Sequence, residues 1–324
     1  MSVWRHTIPL EAGYLFSLSD SLRIAEDAHG DILTPTSDGP MLIASDYSGQ
    51  HKEATHEAYS FLVTTEHALM EWLPALRDFR KHWLPDNRSI SYKKLNEPAR
   101  WRALPAFLET ASSLRGNLIT IMIDRKAGSF MEGGPEAIAN TLTDCFPPNA
   151  NRGTTEKMFR LASFISLIMA GLRREDQTSI WISDHDETLE THDRREQFAR
   201  LSAYITFSLT GWRKPADSYF CTTESPHAPP WAEDIAALAD LAAGSYCHLS
   251  SFLPAYLGKE AWITRADSSS IENQRARAIA GWLATQQGNL RHVLLRLERG
   301  ENKEIRSSAQ AFSPAQALYR QSEK

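Results

Sequence analysis

Short apolar segments that each run straight into an aspartate constrain this chain more than any other feature. Met41-Leu42-Ile43-Ala44-Ser45 leads into Asp46-Tyr47-Ser48-Gly49, Leu118–Ile123 leads into Asp124, and Ser179–Ser183 leads into Asp184 and Asp186. Apolar runs of this length, with little alternation, are those of interior strands in a sheet covered on both faces. A carboxylate at the end of such a strand is costly if buried alone, so it faces a cleft, a metal or a cation. A fourth acid, Asp240, stands inside an otherwise small and apolar helical segment, Ile235 to Gly244. Ligands of open α/β sheets bind beyond the carboxyl ends of the strands. Acids collected there form a hard-oxygen site suited to Mg²⁺ or Mn²⁺.

The remaining pattern predicts an α/β domain with a mixed sheet covered by helices. Residues 1–38 read as an N-terminal extension with a short strand at Tyr14–Leu18. Strands at 41–46 and 58–64 form a hairpin, followed by a helix over 66–82 that Pro74 can kink. Ser89–Leu95 alternates as a half-exposed strand does, 99–114 is a helix and 118–123 an interior strand. Residues 128–153 form a long irregular connection. A helix begins near Thr154, a strand covers 180–182, a helix 190–210, a strand 217–221 and a helix 231–246. Within 261–324, residues 270–299 read as an amphipathic helical addition and 301–324 as a frayed polar tail. The main domain spans 39–260.

Composition narrows the function classes. A hydrophobic content of 42% with 9 tryptophans and 13 phenylalanines belongs to a globular chain with a real core. A net charge of −5 over 324 residues argues against a basic coat for nonspecific nucleic-acid binding. Two local candidates for a basic groove remain: Arg77–Trp83, where cations and aromatics alternate, and Lys93-Lys94. Each reads equally simply as a solvated face. Cys145, Cys221 and Cys247 form no metal pair and no disulfide framework, which suggests reduced thiols in a cytoplasmic protein. No run of about 18 apolar residues predicts a membrane span, and no secretory signal opens the chain. Phosphate-loop, dinucleotide and serine-elbow motifs are missing.

The order strand–Asp, antiparallel strand, helix, strand, helix, strand–Asp, helix, strand–Asp and then a helix carrying Asp resembles a ribonuclease H-like fold. More narrowly, the chain is similar to the domain of unknown function 3800 family across roughly residues 40–250. That family opens with an apolar strand and Asp-Glu-Ser-Gly; Asp46-Tyr47-Ser48-Gly49 matches three of the four positions, with Tyr47 where the family often has glutamate. It closes with Ala-Asp-Leu and small residues on a helix, matched by Ala239-Asp240-Leu241-Ala242-Ala243-Gly244. Tyr92-Lys93-Lys94 and Ile123-Asp124 match a strand with lysine and a strand ending in acid. The resemblance implies metal-assisted phosphodiester hydrolysis, with Asp46 bridging two divalent ions, Asp240 completing their shell, and Asp124 and Asp184 as further ligands. Lys93, with Lys94 and Ser48, would then hold a substrate phosphate. Ala236, Ala237, Ala243 and Gly244 flank Asp240 and would let its helix lie close to the sheet.

Structural alternatives exist for each acid. Asp46 also suits a turn that bonds its own backbone, Asp240 a helix ion pair with arginine, and Asp124 a pair with Arg125 or Lys126. His185, between Asp184 and Asp186, is the one histidine placed for metal or proton transfer. Ile180–Leu189 resembles the first motif of haloacid-dehalogenase-type phosphatases, with Asp184 as nucleophile and Asp186 as acid–base partner, although that motif normally opens its domain. A third reading is a non-catalytic binding or regulatory scaffold, for instance in phage defence or a mobile element. Its partner surfaces, for nucleic acid, another protein or a second copy, would be Arg77–Trp83 and the C-terminal helices.

Overall fold

The computed structural model describes residues 2–5, 8–49, 54–86, 88–146, 151–184, 188–225, 228–252, 271–285, 288–300 and 304–311. His51, His185, Asp186 and most of the C-terminal tail lie outside the described residues. In chain order the elements are α1 (Tyr14–His29), β1 (Met41–Ser48), β2 (His56–Thr65), α2 (Glu66–Trp83), α3 (Pro98–Ser112) and β3 (Gly116–Asp124). There follow α4 (Gly134–Thr141), α5 (Arg152–Leu172), β4 (Ser179–Ser183), α6 (His192–Thr210) and β5 (Ser218–Thr222). The last are α7 (Ala232–Phe252), α8 (Ile271–Thr285), β6 (Leu290–Arg299) and β7 (Ile305–Ala311).

The strands make one mixed sheet in the order β5-β4-β1-β2-β3-β6-β7. β1, β2 and β3 run antiparallel to one another in turn, while β4 joins β1 and β5 joins β4 in parallel. β6 lies parallel to β3, and β7 closes that side antiparallel to β6. Because side chains alternate along a strand, Ile43, Phe61, Ile121 and Trp181 fall on one face. Leu42, Leu62, Leu118 and Ile182 fall on the other. The first face is covered by α1, α4, α5 and α6, and the second by α2, α3, α7 and α8.

The mixed sheet and its helical cover agree with the expectation, but the ends of the chain do not. Residues 14–18 are helical rather than extended. Leu15, Leu18, Leu22 and Ala25 recur at helical spacing on the buried side of α1, which a short window read as alternation. The N-terminal segment is part of the core, not an appendage. Trp4 lies on Gly171 of α5, where any Cβ would come within 2.3 Å of the indole, and its Nε1 donates to Ser19 Oγ at 2.9 Å. Glu26 accepts the amides of Val3 and Trp4.

At the other end, 290–299 is a strand, and 305–311, read as frayed, is its partner. β6 buries both faces, so Leu290, Val293, Leu294 and Leu297 mimic a helical stripe while serving two different cores. Only 271–285 of the expected helical region is helix, and its apolar Ile279 and Leu283 are consumed inside the fold. Within 128–153 the structure adds the short helix α4. Pro74 leaves α2 a single element; it is exposed, so the carbonyl it deprives of a partner can be hydrated. Among the described residues no helix is long and apolar enough to cross a membrane.

β6 also carries a titratable group into the core. His292 is buried and stacks on Tyr246 of α7, with ring centroids 5.6 Å apart and 11° between planes. Burial pushes its imidazole down to about 3, despite a hydrogen bond to the Leu283 backbone. Above the ordinary histidine value both folded and unfolded chains hold it neutral. Below that value only the unfolded chain takes up the proton, so stability falls as pH drops, at about 1.4 kcal/mol per pH unit. His292→Phe keeps a ring against Tyr246 and removes this slope. Urea unfolding of both proteins across mildly acidic pH should show a flatter stability curve for the variant; parallel curves would contradict the assignment.

Candidate active site

The site begins with strand register. β1 and β4 pair in parallel with Ser45 opposite Ser183, so Asp46 and Asp184 stand side by side at the carboxyl ends of two central strands. The Asp184 amide donates to the Ser45 carbonyl at 3.1 Å. Leu42, Ala44 and Ile182 belong to the face covered by α7, and by alternation Asp46 and Asp184 belong to it as well. α7 brings the third acid. Its inner face is small, with Ala236, Ala237 and Ala243 buried, and this lets the helix lie directly over β1 and β2.

Asp240 is held from both sides. Its Oδ2 accepts the Tyr92 amide at 2.7 Å, and the Ser91 hydroxyl adds a second hydrogen bond. That explains why the strand expected at 89–95 does not form. Residues 92–94 form a single 3-10 turn, because the amide that a sheet partner would have taken goes to a side chain on α7. Gly244 sits one turn beyond Asp240, and a Cβ there would lie 2.4 Å from the Tyr92 ring. The turn therefore lies against α7 and puts Lys93 next to the acids, as the field of its ammonium on both carboxyls records.

Electrostatics ties the group together. Burial, then the charges of Asp240 and Asp184, push the Asp46 carboxyl well above the usual carboxylate range, against the Tyr47 amide and Lys93. Burial likewise raises Asp240, with Asp184 adding to it, while the hydrogen bonds from Tyr92 and Ser91 and the Lys93 charge oppose. Thr223, just beyond β5, donates its hydroxyl to Asp184 Oδ1 at 3.2 Å. Beneath Asp46, the paired hydroxyls of Ser60 and Thr120 cross the next two strands at 2.9 Å. Ser91, Thr223, Ser60 and Thr120 were not anticipated from sequence. The available signal was a hydroxyl residue at or just past the end of an element, which is too common to single out.

Other candidates are placed differently. Asp124 is not brought to the cluster. It lies two strands from β1 and four residues beyond Thr120, about 13 Å further along the strand. There it accepts the Lys126 amide at 2.9 Å and faces His56 and Arg296. Lys94 is exposed on the same turn as Lys93. Ser48 ends β1 beside Cys247, with which it hydrogen-bonds. Tyr47 points to the opposite face, where its hydroxyl meets Ser45 and Ser183. In the Arg77–Trp83 stretch, Arg80 is committed to the buried Asp234.

The donor set is one of hard oxygens, the kind whose mutual repulsion a divalent cation relieves wherever one binds. Among the described residues, however, no three His, Cys, Asp or Glu side chains gather closely enough to form a metal cage. One oxygen each of Asp46 and Asp240 is already turned to a backbone amide.

Two measurements check this geometry. A carboxyl raised by the fold favours the folded state only while protonated, so that contribution is lost as pH rises through the folded value. Near neutral pH Asp46→Asn should therefore raise the melting temperature by a few degrees, with the gain shrinking in acid; a lower melting temperature at neutral pH would contradict the repulsive cluster. Gly244→Ala should do the reverse of the usual helix-interior replacement. Overpacking against Tyr92 should cost about 1–3 kcal/mol by denaturant midpoint, and a stabilised variant would mean the turn does not lie against α7. Compared with known proteins, the chain matches no family model and no curated protein sequence, so its site is read from its own geometry.

Proposed function

We propose that this chain is a divalent-metal-dependent phosphodiester hydrolase, a nuclease built on a ribonuclease H-like core. The observation that carries the reading is the convergence of Asp46 on β1, Asp184 just beyond β4 and Asp240 on α7 in one electrostatic cluster with Lys93. The strand order supports the fold assignment. Read from β3 to β5 the sheet runs 3-2-1-4-5, with β2 alone antiparallel to its neighbours, as a ribonuclease H-like sheet does. Its acids would then occupy the first strand, the end of the fourth strand and a late helix.

Asp46 and Asp240 would hold Mg²⁺ or Mn²⁺ with Asp184 alongside, and the bound ions would lower the pKa of water and stabilise a leaving oxygen. The chain's own groups do the rest. Lys93 attracts and orients a phosphate as a point charge, with Lys94 extending the positive edge. The Tyr92 amide and Ser91 fix the rotamer of Asp240, and Thr223 fixes Asp184, so the carboxylates are aimed before substrate arrives. A non-catalytic scaffold is the second reading, favoured by the acids' backbone hydrogen bonds and by the lack of a ready cage among the described residues.

Cleavage of labelled single- and double-stranded DNA and RNA with Mg²⁺, Mn²⁺ or EDTA separates the two. The nuclease reading expects metal-dependent cleavage, reduced at least about 100-fold in Asp46→Ala and Asp240→Ala and little changed in Asp124→Asn. It also expects Mn²⁺ to raise the melting temperature of wild type but not of Asp46→Ala. Neither cleavage nor a metal-induced thermal shift would leave the scaffold reading.

A further inference from the structure

On the face of the sheet opposite the acids, α5, α6, β4 and β5 enclose a cavity of about 430 Å³. That is within the range of small-molecule sites and far larger than the packing voids of a protein core. Its floor is aromatic. Trp181 lies 4.5 Å from Phe198 and 4.4 Å from Phe220 between ring centroids, with planes inclined by only 38° and 33°. Trp212 stands at the rim over the guanidinium of Arg173, 5.5 Å from its centroid, and the exposed Phe207 forms part of the lip. The surfaces offered are flat faces and edges of rings, which favour a planar guest.

The polar groups of the wall are almost all engaged with one another. Arg173 donates to the carbonyls of Gln177, Ala216 and Asp217 and to Ser218 Oγ. Ser179 Oγ lies 3.0 Å from Ser218 Oγ, Thr206 is bonded to Ser166, and Thr210 to the Thr206 carbonyl. Ser202 is the exception. Its side chain lies on the cavity wall with 7% of the residue exposed, and its Oγ has no hydrogen-bond partner among the described residues. That Oγ is closed off from the cavity space itself, so what the wall offers a guest is apolar and ring surface.

We infer that this cavity is a binding site for a small planar aromatic molecule, its ring set against Trp181, Phe198 and Phe220. The site is independent of the proposed hydrolase centre. Its lining includes Ser179 and Ser218, where β4 and β5 begin, whereas the acids lie toward the other end of β1 and β4, across the sheet. Failure of either assignment leaves the other standing.

The test uses the whole chain labelled with ¹³C at its methionine methyls, because Met169 lines the cavity and reports occupancy there. Phenol, indole and toluene are titrated as probes, with cyclohexanol as the non-planar control. The expected result is a saturable shift of the Met169 methyl with the three aromatic probes, in the high-micromolar to millimolar range for ligands of this size, and a much weaker one with cyclohexanol. Ala203→Trp, on the exposed lip of α6, should abolish the shift without lowering the melting temperature; Ala199→Trp serves the same purpose if it does not fold. No saturable shift with any aromatic probe would overturn the inference, as would binding to the lip variants as tight as to wild type.

Discussion

The close approach of α7 to the sheet is the contact on which the rest of the candidate site depends. α7 packs directly over β1 and β2, which a helix with large side chains on that face could not do. The alanines of α7 allow that approach, and Gly244 opens room for Tyr92 against the same helix. Gly49 relieves the other end, where a Cβ would strike the His56 carbonyl at 2.2 Å and Cys247 Sγ at 2.9 Å. Its φ of +92° also requires glycine. One small-residue face therefore sets the position of Asp240, the path of residues 91–95 and the placement of Lys93.

Beneath the acids the sheet is stiffened from its other side. Trp181 Nε1 donates to Ser45 Oγ at 2.9 Å, Ser45 Oγ lies 3.0 Å from the Tyr47 hydroxyl, and that hydroxyl lies 2.5 Å from Ser183 Oγ. This chain of hydroxyls joins β1 to β4 at the residues next to Asp46 and Asp184. Tyr47, in the position where the acidic neighbour of Asp46 would have been a candidate ligand, instead locks the register that puts two acids side by side. The alternation of a strand makes this division of labour automatic: odd positions of β1 hold the sheet together, and even positions face α7.

How much of this was legible in the sequence follows the range of the interaction. β1, β3 and β4, each a local apolar run, could be read directly, as could the hairpin of β1 and β2 and the helix of Asp240. What failed depended on distant partners. Residues 89–95 alternate like a strand, but their amide is claimed by an acid 148 positions away. β6 looks helical because its two faces feed separate cores. Asp124 and Asp184 end indistinguishable segments, yet one lands beside Asp46 and the other two strands away, since strand order is a property of the whole sheet. The small face of α7 was the one long-range feature visible locally, because closeness requires small side chains wherever the partner lies.

Two regions break the rule that a fold satisfies its own polar groups, and they do so differently. Around Asp46 the fault is excess charge: carboxylates are gathered where burial and each other's fields resist ionisation, with Lys93 as a partial counterweight. At Ser202 it is a missing partner in an otherwise saturated, ring-lined wall. Other buried groups are met in full, among them Glu26, which accepts the amides of Val3 and Trp4, and Asn117, which bonds both the amide and the carbonyl of Thr34. Local failures within a consistent structure concentrate where a sequence is selected for something besides folding. The two regions lie on opposite faces of one sheet, whose β1–β4 pair is tied together by the hydroxyls and indole of Trp181, Ser45, Tyr47 and Ser183.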